Sequence, residues 1–373
     1  MKHVLITGGC GFVGTNLAHR LLSEGQRVCV FDNLSRNGVE RNLEWLRDTH
    51  GDSLTVMVGD MRDAAAVRDA VRRASQVFHF AAQVAVTTSL EDPIADFEVN
   101  ARGTLNVLEA IRTSAHRPPL FFTSTNKVYG GLDDVALTEK NGRYVPRTKQ
   151  VAQNGISEER PLDFHSPYGC SKGTADQYVR DYARSYDLQT VVFRMSCIYG
   201  PHQFGTEDQG WVAHFLIRAL NREPITIYGD GKQVRDILYA EDLVDAFLAA
   251  AENIGVCSGQ AFNIGGGAAN TISLLELLEM IRTLDGRTPR VDWSEWRMGD
   301  QKYYVSDTAR FQELTGWVPR VGAAEGIRKL REWLITSGVP ALVQQADERP
   351  SLSANALPAV ARDLPVASVP VTE

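Results

Sequence analysis

The chain has 373 residues, of which 43% are hydrophobic, 23% charged and 8% aromatic. This length is more than twice the roughly 150 residues of a typical domain, so we expect one or two domains with a large core. The composition excludes a disordered, collagen-like or coiled-coil chain. The formal net charge of -7 argues against a general nucleic-acid binder or a protein held on anionic lipid by basic patches.

The 5 cysteines are scattered, without the spacing of a zinc site or a disulfide framework. We therefore expect free thiols and no bound metal. No stretch approaches about 18 uninterrupted apolar residues, and the N-terminal apolar run is too short for a signal peptide. The sequence therefore predicts a cytoplasmic protein that does not contact a membrane.

Short apolar runs rich in Val, Ile and Phe alternate with longer stretches of helical periodicity, which is typical of βαβ units in a parallel sheet. The predicted strands are residues 4–7, 28–32, 54–58, 77–80, 120–124 and 190–194. The predicted helices are residues 11–24, 64–73, 96–113, 171–185 and 211–222. The sequence thus predicts an α/β protein with a doubly wound parallel sheet and a smaller C-terminal α/β region.

The domain boundaries are predicted to be interleaved. Residues 1–195 form the main domain, residues 196–335 form the smaller region, and residues 236–265 return to the main domain, with 242–251 and 261–264 as candidates to rejoin its sheet. Residues 336–373 combine repeated prolines with Ala, Val and Ser and contain no aromatic residue, so we expect a disordered tail.

A glycine-rich segment, TGGCGFVG, joins the first predicted strand to the first predicted helix. Gly8, Gly11 and Gly14 allow a tight turn, a close approach to a pyrophosphate and close packing of helix on strand. A tight turn without a ligand is the alternative. Asp32 ends the second strand, where its carboxylate can bind the adenosine ribose and repel a 2′-phosphate. The pattern favours NAD over NADP, although Arg36 lies nearby.

Two further strand ends are candidate cofactor contacts. Asp60 and Met61 follow the third predicted strand and are placed to meet the adenine, although Asp60 could instead cap a helix. Ala81 and Ala82 follow the fourth strand, where small side chains would let the backbone pass close to a cofactor. An ordinary turn at the end of the strand is the alternative there.

Tyr168 and Lys172 stand four residues apart, which places them about one turn apart on one helix face. The lysine ammonium and a positive nicotinamide ring would stabilise a phenolate and make Tyr168 a usable base near neutral pH. Such a pair alone is common by chance. It follows a dinucleotide-binding segment here, and the hydroxyl-rich run 123–125 ends the intervening strand, so we predict a catalytic pair.

These segments resemble the extended short-chain dehydrogenase/reductase family of nucleotide-sugar epimerases and dehydratases. The resemblance is carried by TGGCGFVG, Asp32, HFAAQVAV, Asn100 before Gly103, TSTNKVYG, YGCSK, RMSCIYGP and a continuation to residues 262–266. It covers residues 1–335. It implies an enzyme with an NAD-binding Rossmann domain, a nucleotide-sugar-binding region, and a homodimer or homotetramer built on helices 96–113 and 171–185.

The resemblance also implies roles for individual residues. Tyr168 is the acid/base, Thr125 its hydroxyl partner, and Lys172 binds the nicotinamide ribose. The implied cofactor contacts are Gly8, Gly11, Phe12, Val13, Gly14, Asp32, Asn33, Arg36, Asp60, Met61, Ala81, Ala82, Gln83, Asn100, Thr123, Tyr168 and Lys172. The implied substrate contacts are Thr125, Asn126, Gln203, Phe204, Trp211, Arg235 and Arg297.

Some of these substrate contacts have alternatives. Arg235 and Arg297 match arginines that bind the nucleotide diphosphate in relatives, and a bidentate guanidinium suits that role. Each could instead form a surface ion pair. Phe204 and Trp211 could line a sugar pocket or pack in the core.

The residues after Thr125 narrow the reaction. Family 4,6-dehydratases carry an Asp-Glu pair there, whereas this chain has Asn126 and Lys127, which cannot relay protons as carboxyls do. Dehydration is therefore disfavoured, and reversible oxidation to a keto sugar with return of the hydride to the opposite face is expected. Longer segments resemble members that invert C2 of a CDP-linked deoxyhexose. A UDP-sugar 4-epimerase and a non-catalytic NAD-binding regulator are the alternatives.

Overall fold

The computed structural model describes residues 2–297 and 299–339. From residue 340 onward, the tail expected to be disordered lies outside the described residues. In the described ranges no helix is both long and apolar enough to cross a membrane.

The strands follow the apolar runs of the sequence. They are β1 (His3–Thr7), β2 (Val28–Asp32), β3 (Leu54–Val58), β4 (Ala74–His79), β5 (Leu120–Thr125), β6 (Leu137–Lys140), β7 (Arg143–Pro146), β8 (Thr190–Met195), β9 (Cys197–Tyr199), β10 (Ile225–Tyr228), β11 (Val234–Tyr239), β12 (Gln260–Ile264), β13 (Thr271–Ser273), β14 (Val291–Ser294) and β15 (Tyr303–Tyr304).

The helices alternate with these strands. They are α1 (Phe12–Ser23), α2 (Val39–His50), α3 (Ala64–Val71), α4 (Val86–Glu91), α5 (Pro93–Phe97), α6 (Gly103–Thr113), α7 (Lys149–Asn154), α8 (Ser166–Tyr186), α9 (Trp211–Leu220), α10 (Ala240–Glu252), α11 (Ile254–Cys257), α12 (Leu274–Asp285), α13 (Ala309–Thr315) and α14 (Ala323–Thr336). A π-helical turn, Glu98–Arg102, joins α5 to α6, and short 3-10 turns occur at Gly51–Ser53, Asn126–Tyr129 and Ala268–Asn270.

Seven strands form one parallel sheet in the order β12-β8-β5-β4-β1-β2-β3. Strands of a parallel sheet are covered by helices on both faces, which explains their continuous apolar runs. The strand order reverses between β1 and β4, and ligands of such sheets bind at the carboxyl ends of the strands beside that point. The predicted doubly wound α/β fold is confirmed.

The two faces of the sheet bury separate hydrophobic cores. Alternate residues of β1, such as Ile6, pack with α1, α2 and α10, whereas Leu5 packs with α3, α6 and α8. The smaller region has a third core, in which α9, α12 and α14 cover the short sheet of β9, β11, β13 and β15. The main sheet and the smaller region therefore meet along the carboxyl ends of the main strands.

Several predicted boundaries were wrong. Helix α2 was not predicted, because its sequence is mostly polar and only four of its side chains are buried: Val39, Asn42, Leu43 and Leu46. The helix expected at 171–185 begins at Ser166 with Pro167 in its first turn. The helix expected at 96–113 contains the π-helical turn. Residues 242–251 lie in α10, which packs on α1, whereas 261–264 do join the main sheet.

Candidate functional site

The turn between β1 and α1 is shaped by glycines that leave no room for a side chain. Gly8 has φ +66°, and a Cβ on it would lie 2.7 Å from the Ala81 nitrogen. A Cβ on Gly14 would lie 2.3 Å from the Gly8 oxygen. Gly11 precedes α1 and no side chain caps the helix, so the N–H groups of the first turn, at Phe12 and Val13, are free of side-chain acceptors. The cradle fits a pyrophosphate.

Asp32 is held at the end of β2 by the same turn. Its Oδ2 accepts a hydrogen bond from the Cys10 N–H at 3.0 Å, and its Oδ1 accepts one from the Leu34 N–H at 2.9 Å. Burial raises the pKa of the Asp32 carboxyl, and Arg36 opposes this shift. Arg36 itself donates to the side chain of Gln209, so it spans from the β2 end to the smaller region. The position suits a ribose-binding carboxylate.

Asp60 lies beside Asn33, whose Nδ2 donates to its Oδ2 at 3.1 Å. Its ion pair with Arg62 lowers the pKa of Asp60 to about 2. The alternative role of Asp60 as a helix cap was wrong, because Asp63 caps α3. Met61 is buried, and its backbone oxygen accepts a hydrogen bond from the side chain of Asn106 at 2.9 Å.

Asn100 connects the loop after β4 to helix α8. Its Oδ1 accepts from the Gln83 N–H at 2.9 Å, and its Nδ2 donates to the Gln83 oxygen at 3.0 Å and to the Ser171 Oγ at 3.0 Å. Asn100 lies in the π-helical turn, and such turns are frequent at functional sites. The loop that carries Ala81 and Ala82 is thereby aligned with the helix that carries Tyr168.

His79 ends β4 directly before this loop, and the sequence analysis did not identify it as a site residue. Its Nδ1 is 2.6 Å from the Thr7 Oγ1 and its Nε2 is 3.0 Å from the Thr104 Oγ1, so the ring joins three elements. Burial lowers the pKa of His79 to about 3, which keeps the imidazole neutral. Thr123 donates to the His79 oxygen at 3.4 Å. The HFAA segment contains this histidine, but its partners lie 72 and 25 residues away.

The predicted catalytic side chains are brought together at the end of β5. The Thr125 side chain lies close to the hydroxyl of Tyr168, which is on α8 with Lys172 one turn farther along. The Lys172 Nζ lies 4.2 Å from the centre of the Phe122 ring. All three catalytic side chains are buried. The arrangement can withdraw a proton from a hydroxyl placed against Thr125 and Tyr168.

Burial shifts the pKa values of both Tyr168 and Lys172 in the chain alone. Burial raises the pKa of Tyr168 to about 12, and Asp96 adds to the shift while Thr125 and Arg36 oppose it. Burial lowers the pKa of Lys172 to about 7, opposed by Asp96 and Asp176. The expected phenolate requires a positive nicotinamide ring as well as Lys172, so its stabilisation stays a prediction.

The predicted substrate residues form one cluster and one separate group. Arg235 is 6% exposed and donates to Asp300 at 2.7 Å. The Trp211 Nε1 is 3.4 Å from the Cys197 Sγ. The Asn126 Nδ2 donates to the Gln301 Oε1 at 3.2 Å. Asp300 and the adjacent Gln301 thus bring Arg235 near Asn126, and Trp211 contacts β9, the strand that pairs with β11.

The remaining predicted substrate residues contact the loop before α9 or belong to it. Arg297 is ion-paired with Glu207 at 3.2 Å and lies 3.8 Å from the centre of the Tyr228 ring, as the ion-pair alternative predicted. The Gln203 Nε2 donates to the Ile198 oxygen at 3.2 Å. Phe204 packs on Gly38, since a Cβ on that glycine would lie 2.6 Å from its ring. In this structure Phe204 therefore has a packing contact.

Comparisons with known proteins agree with this site. The model of the NAD dependent epimerase/dehydratase family matches residues 4–265. The chain is 44% identical to CDP-paratose 2-epimerase of Salmonella typhi over 88% of this chain and 98% of that protein. It is 32% identical to UDP-glucose 4-epimerase of Mycolicibacterium smegmatis over 88% and 97%. The complex of Thermus thermophilus UDP-glucose 4-epimerase with NAD superposes with a TM-score of 0.74 at 32% identity, covering 89% of this chain and 99% of that one.

Proposed function

We propose that this chain, which belongs to the NAD-dependent epimerase/dehydratase family, inverts C2 of a CDP-linked deoxyhexose through a transient keto sugar. It is an NAD-dependent nucleotide-sugar epimerase. The observation that carries the reaction type is the placement of Thr125 beside Tyr168, with Lys172 one turn along α8 and with Asn126 and Lys127 where a dehydratase needs carboxyls. The choice of carbon and nucleotide is supported by the 44% identity to a CDP-paratose 2-epimerase.

In the proposed mechanism the chain's own residues handle the proton. The Tyr168 Oη takes the proton of the substrate hydroxyl while Thr125 holds the sugar oxygen, and Tyr168 returns the proton after the ring has turned over. NAD, when bound, supplies the acceptor and donor of the hydride. Positive charge from Lys172 and from a bound nicotinamide ring would favour the phenolate, against the burial that raises the pKa of Tyr168.

A UDP-sugar 4-epimerase is the second candidate. It is favoured by the 32% identity to the Mycolicibacterium smegmatis enzyme and would use the same Thr125, Tyr168 and Lys172. The two reactions differ only in which ring carbon faces the cofactor. A non-catalytic regulator is disfavoured because Thr125, Tyr168 and Lys172 are all present and Thr125 lies beside Tyr168.

The proposal is tested by proton NMR of CDP-paratose incubated with the protein, with and without added NAD. We expect the coupling of the C2 proton to change as CDP-tyvelose forms, and turnover without added NAD would show that the cofactor stays bound. No change with CDP-paratose, together with turnover of UDP-glucose to UDP-galactose, would replace the proposal by the 4-epimerase.

We propose the following organisation for the enzyme. Residues 1–195 with 236–265 bind NAD, residues 196–335 bind the nucleotide sugar, and Arg297 reaches the diphosphate after releasing Glu207. The return of β12 to the main sheet supports these boundaries. Because NAD is an intracellular cofactor, the proposal includes a cytoplasmic location.

The proposal also includes a homodimer or homotetramer. Apolar side chains are exposed on neighbouring helices α5 and α8, where Ile94 is 75% exposed, Phe97 47% and Tyr178 45%. Large exposed apolar side chains grouped on adjacent helices are a mark of an interaction surface.

A further inference from the structure

Lys127 has no role in the mechanism above, yet its side chain lies in the site. It follows Thr125 by two residues, and its backbone N–H donates to the Thr125 Oγ1 at 3.2 Å. The 3-10 turn Asn126–Tyr129 directs the chain away from β5 toward the smaller region. The Lys127 Nζ donates to the Gly299 oxygen at 3.1 Å. An ammonium has three donors, so this one hydrogen bond leaves capacity for a ligand.

The surroundings of Lys127 carry excess positive charge. Arg235 on β11 repels the ammonium, and Asp300 is the carboxylate that acts on it. The same Asp300 is the ion-pair partner of Arg235. The nearby Cys197 thiol has a raised pKa because it is buried, so it is neutral near pH 7. Because Gly299, whose oxygen accepts from Lys127, directly precedes Asp300, the Lys127 ammonium lies near the Arg235–Asp300 ion pair.

Such an arrangement is unfavourable without an anion. Arg235 is buried and Lys127 is half-buried, so their like charges disfavour one another, and burial together with Arg235 lowers the pKa of Lys127 to about 8. An anionic ligand between the two cations would relieve the repulsion and use the free donors of both. The position resembles a prepared site for a doubly charged oxyanion rather than for a neutral hydroxyl.

We propose that Lys127 and Arg235 together bind the β-phosphate of the nucleotide sugar, and that this contact places C2 of the ring against Thr125 and Tyr168. This inference rests on the proposed function. The β-phosphate is attached through C1, which is bonded to C2, whereas C4 lies on the opposite side of the ring. A phosphate-binding cation only two residues from Thr125 therefore holds the reacting hydroxyl next to the anomeric carbon. Lys127 is a specificity-determining residue in this scheme.

The test compares CDP with CMP, which lacks the β-phosphate, by isothermal titration calorimetry on the NAD-loaded protein. Lys127→Gln should weaken CDP binding about tenfold or more and change CMP binding less than about twofold. Lys127→Arg should restore most of the CDP affinity, because it keeps the charge. Lys232→Gln removes a half-buried lysine paired with Glu139 and should change neither affinity.

A second readout separates a phosphate contact from a structural tether to Gly299. At pH 8 the wild-type Lys127 is partly deprotonated, so CDP binding should take up a proton, seen as a difference in binding enthalpy between Tris and HEPES buffers. Lys127→Arg and Lys127→Gln should both lose this uptake. Lys172, Arg235, Asp300 and Cys197 are present in all three proteins, so the difference reports Lys127.

The inference is overturned if Lys127→Gln weakens CDP and CMP equally, or leaves CDP binding unchanged. Titrating UDP and UMP in parallel covers the case of a uridine substrate. If the loss is confined to the diphosphates but NMR shows inversion at C4, the phosphate contact stands while its role in selecting C2 and the proposed function are wrong. If Lys127→Gln weakens CDP and CMP binding equally and NMR shows inversion at C2, the phosphate contact is rejected and the proposed function stands.

Discussion

The catalytic side chains lie in an environment that opposes their chemistry until ligands bind. The phenol of Tyr168 has a pKa near 12 and the ammonium of Lys172 has one near 7, both because of burial. A positive charge placed beside them would lower the first, and an anion would raise the second. The chain alone therefore holds the base in its protonated form, and we expect proton transfer to depend on the occupied cofactor site.

The first prediction concerns the Tyr168 hydroxyl. Tyr168→Phe keeps the ring and its packing but removes the group that accepts the proton, so turnover should fall about 10²–10⁴-fold. NAD should remain bound, because the glycine cradle and Asp32 are untouched. Turnover is followed by NMR, and bound NAD by its release on denaturation. Turnover within a few-fold of wild type would reject Tyr168 as the acid/base.

His79 shows how a buried titratable residue links the site to stability. Its pKa is about 3 in the folded chain against 6.5 when exposed, so the unfolded state binds the proton first as the pH falls. The neutral ring therefore carries no penalty above pH 6.5, and the folded state loses stability progressively between pH 6.5 and 3.

The second prediction follows from this loss of stability at low pH. Between pH 7 and pH 5 the free energy of unfolding of the wild type should fall by about 2 kcal/mol because of His79. The His79→Asn variant should not show this loss. Urea unfolding of both proteins at the two pH values measures the difference. A stability gap between the proteins that is independent of pH would show that folding does not lower the pKa of His79.

At the scale of elements, the site depends on how closely α1 approaches β1. Gly14 lies in the first turn of α1 against the Gly8 oxygen, and a side chain there must push the helix away from the turn. The orphan N–H groups of α1 would then move from the position that a pyrophosphate needs.

The third prediction is that Gly14→Ala lowers stability by about 1–3 kcal/mol, as for other overpacked positions, and weakens NAD binding at least tenfold. Gly255→Ala in α11 is the matched control, because a Cβ there meets nothing within 4 Å and should be tolerated. Thermal unfolding and NAD titration measure both effects. Unchanged NAD affinity in Gly14→Ala would mean that the turn does not bind the pyrophosphate.

Helix α8 links the site to the sheet through a buried ion pair. Asp176 on α8 accepts hydrogen bonds from the Arg194 guanidinium on β8 at 2.9 and 3.0 Å, and both side chains are almost fully buried. A buried pair of this kind specifies one arrangement, since loss of either partner leaves an unpaired charge. The pair thus fixes the axial position of Tyr168 and Lys172 relative to Thr125.

At the scale of the whole molecule, the fourth prediction concerns assembly. Ile94→Asp places a charge in the exposed apolar surface of α5 and α8 and should shift a dimer or tetramer to monomer in sedimentation velocity experiments. Ile335→Asp, at a half-exposed position on α14, is the control and should leave assembly unchanged. A wild type that sediments as a monomer would reject the proposed oligomer.

The local features of this protein were predictable from its sequence. The glycine turn, the apolar strands and the four-residue spacing of Tyr168 and Lys172 are set by backbone geometry and periodicity over a few residues. The polar helix α2 was not predicted from the sequence. Its stability comes from packing a narrow apolar face on distant residues, so its local sequence pattern is weak.

The charge states and long-range contacts were decided only by the tertiary structure. Burial raises the pKa of Tyr168 in the chain alone, and it keeps His79 neutral between Thr7 and Thr104. The Lys127 ammonium meets the Gly299 oxygen across 172 residues of sequence. A pKa depends on desolvation and on charges within a few ångströms, whatever their separation along the chain. The sequence by itself therefore determined the family and the predicted catalytic residues, and folding determined the electrostatic environment in which those side chains lie.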